Sequence, residues 1–489
     1  MIKNKKVLCN SFLYMASNIL LKACNFFLIP IYTHFLSPNS YGIISIINSF
    51  ASVTIYLIVF SLFSSVFRFY ADIKNNHEKV KMYISTICTF CLGTNIFFLV
   101  LCFCNKNIIS KTFFSGLHFF PIVALALVYT STNSIYILYQ DILKSMQLAK
   151  KSVITSILYF LIQFILCIVL VAILKLEALG TIIAYVITQL IFCIWAFIDL
   201  NKMDIYFVHI NSEILIESLK YSIPIIPHNL STTIAQYVSK LFISGSFSLS
   251  TVGIFNLSQQ FGLIADTVQS SVSSAFQPWL YEQLNENKHE SKKNINDLTI
   301  VLTWIYCFIF IMLGFFSKEV IEVIAAKEYL MAWKIVPLIV LTYAIKIPYY
   351  FYVTILFYYK NMTNKVFLIT LSTSILNIIL SAKLIPMWSM TGSVFADLIS
   401  MSIRVALVII FSKKYDNTIF KLRSIIGRLA YSMLIMGIFL FPSYLNIEFI
   451  NEILFKIIGI IVFIMGILIV ERKNIKDIKL IISIVKKGK

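Results

Sequence analysis

The sequence is short of charge, and shorter still of acid. Only 13% of its 489 residues are charged, and 22 Asp and Glu face 41 Lys and Arg. It has no Walker loop, no zinc-ligand spacing and no nucleophile elbow, which leaves no recognisable enzyme site and no expected cofactor or metal. No loop is long enough to fold by itself, which excludes a separate soluble domain. The net charge of +19 is not gathered into a basic block interleaved with exposed aromatics, so nucleic acid is not an expected partner. Met1–Lys6 holds three lysines ahead of an apolar run, but no small-x-small cleavage site follows. That run therefore reads as a first span rather than a signal peptide. The nine cysteines are scattered. Cys88 and Cys91 form a CxxC inside a span with no second ligand pair, so they read as buried small hydrophobes.

What the chain does have is apolar length. Hydrophobic residues make up 59% of it and the mean hydropathy is +0.87, against roughly 45–50% apolar residues in a soluble protein. We place about fourteen spans, at 7–31, 42–67, 83–104, 119–139, 153–174, 179–198, 223–245, 252–276, 299–316, 335–358, 366–385, 390–411, 429–445 and 453–470. Runs this long and continuous suit α-helices, which satisfy their own backbone in lipid. Barrel strands would be about ten residues long and alternating. The expected fold is therefore an all-α polytopic membrane protein.

Most of the basic residues fall in Arg68–Lys81, Lys144–Lys151, Lys413–Arg428, Arg472–Lys489 and other segments on one side. The bias places both termini in the cytoplasm. The tail Ile475–Lys489 mixes Lys with Ile and Leu, and reads either as an amphipathic helix on the anionic inner leaflet or as a solvated tail.

The chain also repeats. Ser40-Tyr41-Gly42-Ile43 opens the second span, as Thr251-Val252-Gly253-Ile254 opens the eighth. Gly180-x-x-x-Ala184 opens the sixth, as Gly392-x-x-x-Ala396 opens the twelfth. Both pairs share an offset of about 211 residues. Either match is a common helix-contact pattern; two at one offset argue for a repeat. The period holds six spans, an even number, so the copies enter the membrane from the same side. The expected organisation is two parallel six-helix lobes, 1–205 and 206–415, followed by two additional helices and a basic tail in 416–489.

A few charges lie inside the spans: Lys22, Lys240, Lys346, Arg404, Asp266 and Asp397. Each costs about 2.5–3.5 kcal/mol at the bilayer centre on insertion scales, and the six together on the order of 15–20 kcal/mol. A purely structural bundle has little reason to keep them. The pattern points to a transporter with a basic interior and an anionic cargo, driven by an ion gradient or the cargo gradient.

Lys22 shares a helical face with Asn18 and Asn25. Lys240, in the equivalent span, falls about two turns from Lys22 once shifted by the repeat, and is accompanied by Gln236, Tyr237 and His228. Lys346 sits beside Pro348 and Tyr349-Tyr350, where proline can kink the span. Asp266 lies near Gln259, Gln260 and Gln269, within reach of Lys240 or Lys346. Asp397 and Arg404 are seven residues apart on one span, too far to pair easily, so each needs a partner elsewhere. For both acids the readings are charge balance or exchange of a proton or sodium ion. His228 follows Pro224 and Pro227 at a helix entry.

Asn18-Ile-Leu-Leu-Lys22, then Pro30, then Leu36-Ser-Pro-Asn-Ser-Tyr41-Gly42 resembles the opening of the polysaccharide transporter family, which includes O-antigen (Wzx-type) flippases. The basic loop and two apolar spans across Lys150–Gly180 fit it too. The family belongs to the multidrug/oligosaccharidyl-lipid/polysaccharide exporter superfamily. The resemblance implies a V-shaped pair of lobes around a cavity that opens to each side in turn. It also implies cations there, Arg68 among them at a commonly basic position, for a lipid-linked pyrophosphate sugar. The expected function is thus a flippase for undecaprenyl-diphosphate-linked oligosaccharide in the bacterial inner membrane, working beside a polysaccharide polymerase and chain-length proteins. Its rivals are a small-molecule or drug exporter of the same superfamily and a membrane polysaccharide polymerase. The exporter would carry a more acidic or aromatic cavity. The polymerase would need a large external loop.

Overall fold

The computed structural model describes residues 28–286, 289–359, 363–414, 420–445 and 449–472. Lys22, with Asn18 and Asn25, and the basic tail lie outside the described residues. Regular structure among the described residues is helical throughout. Ten helices there are long and apolar enough to cross a membrane.

The chain divides into two compact units. The first comprises Met1–Asn256 and Ile324–Glu328. It contains α1 (Pro38–Ile58), α2 (Leu62–Ile73), α3 (His77–Cys104), α4 (Lys106–Phe113), α5 (Ala124–Ser145), α6 (Ala149–Cys167), α7 (Glu177–Lys202), α8 (Ser212–Ser222) and α9 (Ile226–Ser246), and the opening of α10 (Leu249–Glu286). The second comprises Leu257–Val323 and Tyr329–Lys489. It contains the rest of α10, then α11 (His289–Phe315), α12 (Ser317–Ile324), α13 (Val336–Ile345), α14 (Ile347–Tyr358), α15 (Thr363–Lys413), α16 (Leu422–Tyr444) and α17 (Phe449–Val470).

Polar caps punctuate the apolar runs. Ser37 Oγ accepts the Ser40 amide at 3.3 Å, with Pro38 opening α1. Asn76 and Asn211 cap α3 and α8 in the same way. Other boundaries come from backbone geometry that hydropathy does not register. The expected span 42–67 is broken between α1 and α2, where Phe60 and Ser61 adopt φ of 50° and 52°. The expected span 335–358 is broken at Lys346, just before Pro348 starts α14. Expected spans 366–385 and 390–411 lie in one helical run, α15, broken at Ser389 with φ 54°. The expected seventh and eighth spans correspond to α9 and α10, which are absent from the ten most apolar helices. The reason is their polar content: Thr233, Gln236 and Lys240 on α9, Gln259, Asp266 and Gln269 on α10.

The repeated glycines sit where backbones touch. A Cβ on Gly42 would strike the Leu249 carbonyl, and one on Gly253 would strike the Pro38 carbonyl, with each glycine's amide next in line for the other. The openings of α1 and α10, which the sequence repeat pairs as an expectation, therefore cross at these two glycines. The second pair behaves alike: a Cβ on Gly180 would meet the Leu170 carbonyl, and one on Gly392 the Leu384 carbonyl. In lipid, where apolar burial gives helices little reason to associate, small residues that admit close backbone approach are a main source of packing energy.

In the first unit, Tyr83, Ile84, Ile87, Leu138, Tyr139 and Ile142 form the core between α3 and α5. Cys88 and Cys91 are buried there as free thiols. Tyr139 donates to Asp199 at 2.8 Å, and Lys151 pairs with the same carboxylate at 2.6 Å. Past α7, Asp204 meets Lys81 at 2.6 Å and His77 at 3.4 Å. The hydrogen bond from Lys81, then that from His77, holds its carboxyl below the usual carboxylate range.

Candidate functional site

In the first unit the expected cations have different fates. Arg68, on α2, is half exposed and paired with Asp72 one turn along at 2.6 Å. Lys240, on α9, is buried, with 8% of its surface exposed. It donates to Ser49 Oγ on α1 at 2.9 Å and to Asn256 Oδ1 at the opening of α10 at 3.4 Å. No carboxylate lies within ion-pair distance of it among the described residues. A buried ammonium is thus held by neutral oxygens, just beyond the Gly42–Gly253 crossing.

Four expected residues lie in the second unit, and it brings two of them together. Lys346, at the break between α13 and α14, pairs with Asp266 of α10 at 2.6 Å. Tyr350 also donates to Asp266, at 3.1 Å, and the rings of Tyr343 and Tyr350 lie 5.5 and 5.1 Å from the ammonium. The acid expected to neutralise Lys240 or Lys346 therefore serves Lys346.

Asp397 and Arg404 share α15 but bond to different groups. Asp397 accepts from Asn377 at 2.7 Å. Arg404 donates to Thr373 Oγ1 at 2.8 Å and Ser374 Oγ at 3.0 Å. Around Asp397 several oxygens want a donor. Asn377 Oδ1 is buried without a hydrogen-bond partner, as are Ser393 Oγ and Ser400 Oγ, one turn before and one turn after Asp397 on its helix. Buried polar atoms are seldom left unpaired, and a carboxylate with a single amide donor beside them suits a small cation or a proton.

Sequence reasoning missed two further charge clusters. Lys456 is fully buried between Glu319 at 2.5 Å and Glu452 at 2.7 Å, and Lys318 also pairs with Glu452. At the far end of α17, Arg428 pairs with Glu471, which also accepts from Trp304 Nε1 at 3.0 Å. The signal was present: Lys456 falls inside the expected span 453–470, four residues after Glu452. These clusters pair acid with base, and they fasten α16 and α17 to α11 and α12. Removing one partner would leave a buried charge uncompensated. What sets Lys240, Asp397 and Arg404 apart is that their hydrogen bonds run to neutral groups.

A bundle with ten helices long and apolar enough to cross a membrane among the described residues, and with charged groups kept on several of its helices, defines a multi-pass membrane protein. The comparisons agree in fold. A structure described as the lipid II flippase MurJ, inward closed, superposes with TM-score 0.68 at 17% identity, covering 96% of this chain and 100% of that one. An inward-facing multidrug resistance MATE family transporter of the MOP superfamily gives 0.64 at 11% identity, over 80% and 94%. A MOP superfamily transporter from Pyrococcus furiosus, whose description notes a binding pocket of reverse polarity, gives 0.54 at 11%, over 84% and 95%. The chain belongs to the polysaccharide biosynthesis protein family, whose sequence model matches residues 7–284. A search of curated proteins finds no sequence match.

Proposed function

We propose that the chain is a flippase carrying an undecaprenyl-diphosphate-linked oligosaccharide across the bacterial cytoplasmic membrane by alternating access, with both termini in the cytoplasm. The observation that carries this reading is Lys240, a buried ammonium with no acidic partner among the described residues, in a member of the polysaccharide biosynthesis family. A diphosphate supplies the missing counter-charge, and charged hydrogen bonds to phosphate are strong in a low-dielectric interior. A basic niche does not favour the cationic drugs of the rival exporter reading. Arg404, in the second unit, is another cation whose hydrogen bonds run to neutral groups. Lys22 joins the set from its equivalent span, whereas Arg68 and Lys346 are engaged by Asp72 and Asp266. Deleting the gene should strand lipid-linked oligosaccharide on the cytoplasmic face and remove surface polysaccharide. Unchanged surface polysaccharide in the deletion strain would overturn the reading.

The coupling ion, a proton or sodium, belongs at Asp397 rather than Asp266, because Asp266 is already committed to Lys346 and Tyr350. Asp397→Asn should slow gradient-driven transport while leaving cargo binding intact. Asp266→Asn should instead lower the amount of folded protein by stranding Lys346, and adding Lys346→Gln should recover it. Equal transport by wild type and Asp397→Asn would remove the acid from the mechanism. Failure of the double variant to recover would mean that Asp266 does more than balance charge.

A further inference from the structure

The first unit carries a second kind of chemistry beside Lys240. On α1, one face places Asn48, Ser49 and Ser52 in sequence at helical spacing, with Ser52 exposed and the other two half-buried. Ser49 is the residue that accepts from Lys240. Across from α1, on α5, Tyr129 donates to Asn48 Oδ1 at 3.4 Å. One turn further along α5, Asn133 accepts from Gln189 at 2.7 Å. On α9, Gln236 lies one turn before Lys240 and is exposed. These groups lie within helices at membrane depth. Amides and hydroxyls left exposed there gain nothing from lipid and belong against water or a polar ligand. Apart from Lys240 they are all neutral. They combine amides, which donate and accept together, with a hydroxyl and a half-buried aromatic ring. The second unit, in contrast, presents carboxylates and cations.

Resting on the flippase reading, we propose that the face of Asn48, Ser52, Tyr129, Asn133 and Gln236 recognises the uncharged sugar joined directly to the diphosphate, while Lys240 at its edge takes the phosphate. The adjacency is what the cargo demands, since the first sugar is one bond from the phosphate. An amide can bridge a hydroxyl or acetamido group as donor and acceptor at once. A tyrosine ring offers an apolar surface to the C–H face of a pyranose, and its hydroxyl a hydrogen bond. Selectivity follows, because a buried polar face left unmatched by its ligand costs affinity.

The test uses the full-length protein in lipid nanodiscs and two probes, undecaprenyl diphosphate and undecaprenyl-diphosphate N-acetylglucosamine. Wild type should bind the glycosylated probe at least about tenfold tighter than the bare one. Gln236→Ala and Ser52→Ala alter exposed side chains and leave the fold intact. Each should lose about two- to tenfold for the glycosylated probe and nothing for the bare one. Tyr129→Phe removes one hydroxyl and should behave likewise. Equal binding of the two probes by wild type would overturn the sugar face. So would variants that weaken both probes alike. The flippase reading fails separately: Lys240→Gln would then bind bare undecaprenyl diphosphate as tightly as wild type does.

Discussion

A Lys240→Gln variant should reach the membrane in normal amount and yet leave the cell without surface polysaccharide. The two halves of that outcome have separate physical causes. Folding should survive because glutamine keeps a donor for Ser49 Oγ and Asn256 Oδ1, the neutral groups that hold the ammonium now. It also relieves the protein of a buried charge, whose removal rarely destabilises when no counter-ion is stranded. Transport should fail because the charge is what the headgroup needs. A charged hydrogen bond to phosphate is worth roughly 1.5–3 kcal/mol, so its loss weakens cargo binding about ten- to a hundredfold. Lys240→Arg keeps the charge and should retain part of the activity, limited by fitting a larger planar group into a niche only 8% exposed. Measurement of surface polysaccharide alongside immunoblotted membrane protein separates the two effects. Full polysaccharide with Lys240→Gln at wild-type expression would sink the Lys240 niche and leave Lys22 and Arg404 as the remaining candidates.

Gly42→Val and Gly253→Val should each sharply reduce the yield of folded protein, although neither residue touches a charge. The atoms that a side chain would meet are backbone carbonyls, Leu249 for Gly42 and Pro38 for Gly253, which cannot rotate away as a side-chain tip could. Overpacking of a well-packed site costs about 1–3 kcal/mol, and a helix crossing has to separate to absorb it. That separation would also pull α1 away from α9 and lengthen the Lys240–Ser49 bond. Gly93 on α3 is the control, because nothing lies within 4 Å of a Cβ placed there. Gly93→Ala should be neutral or slightly stabilising, since alanine is the better helix former. Detergent melting curves and the monodisperse fraction on size exclusion report the difference. If the two valine variants behave like Gly93→Ala, the close crossing does not hold the unit together.

Much of this was legible from composition and spacing. The all-helical fold needed only the length and continuity of the apolar runs. Gly42, Gly253, Gly180 and Gly392 were legible as notable positions, because a close backbone contact demands glycine and so leaves a mark in sequence. The charges at 240, 266, 346, 397 and 404 stood out because lipid makes each one costly. Lys456 and Arg428 escaped notice because they sit near the ends of their helices, where a charge looks like ordinary boundary chemistry. The break at Phe60–Ser61 escaped because two left-handed residues leave no compositional trace when neither is glycine.

The sequence alone determined that this chain is a helical, multi-pass membrane protein with a few charges kept inside apolar runs, because the bilayer filters composition residue by residue. Only the tertiary structure decided which of those charges are answered. Asp266 could have served Lys240 or Lys346 by sequence, and the fold gives it to Lys346. Arg68 is answered within its own helix by Asp72, while Lys240 is left to Ser49 and Asn256. The physical reason is distance: Coulomb energy and hydrogen bonding act over a few ångströms, and partners 80 residues apart in Asp266 and Lys346 become neighbours only when the helices that carry them pack.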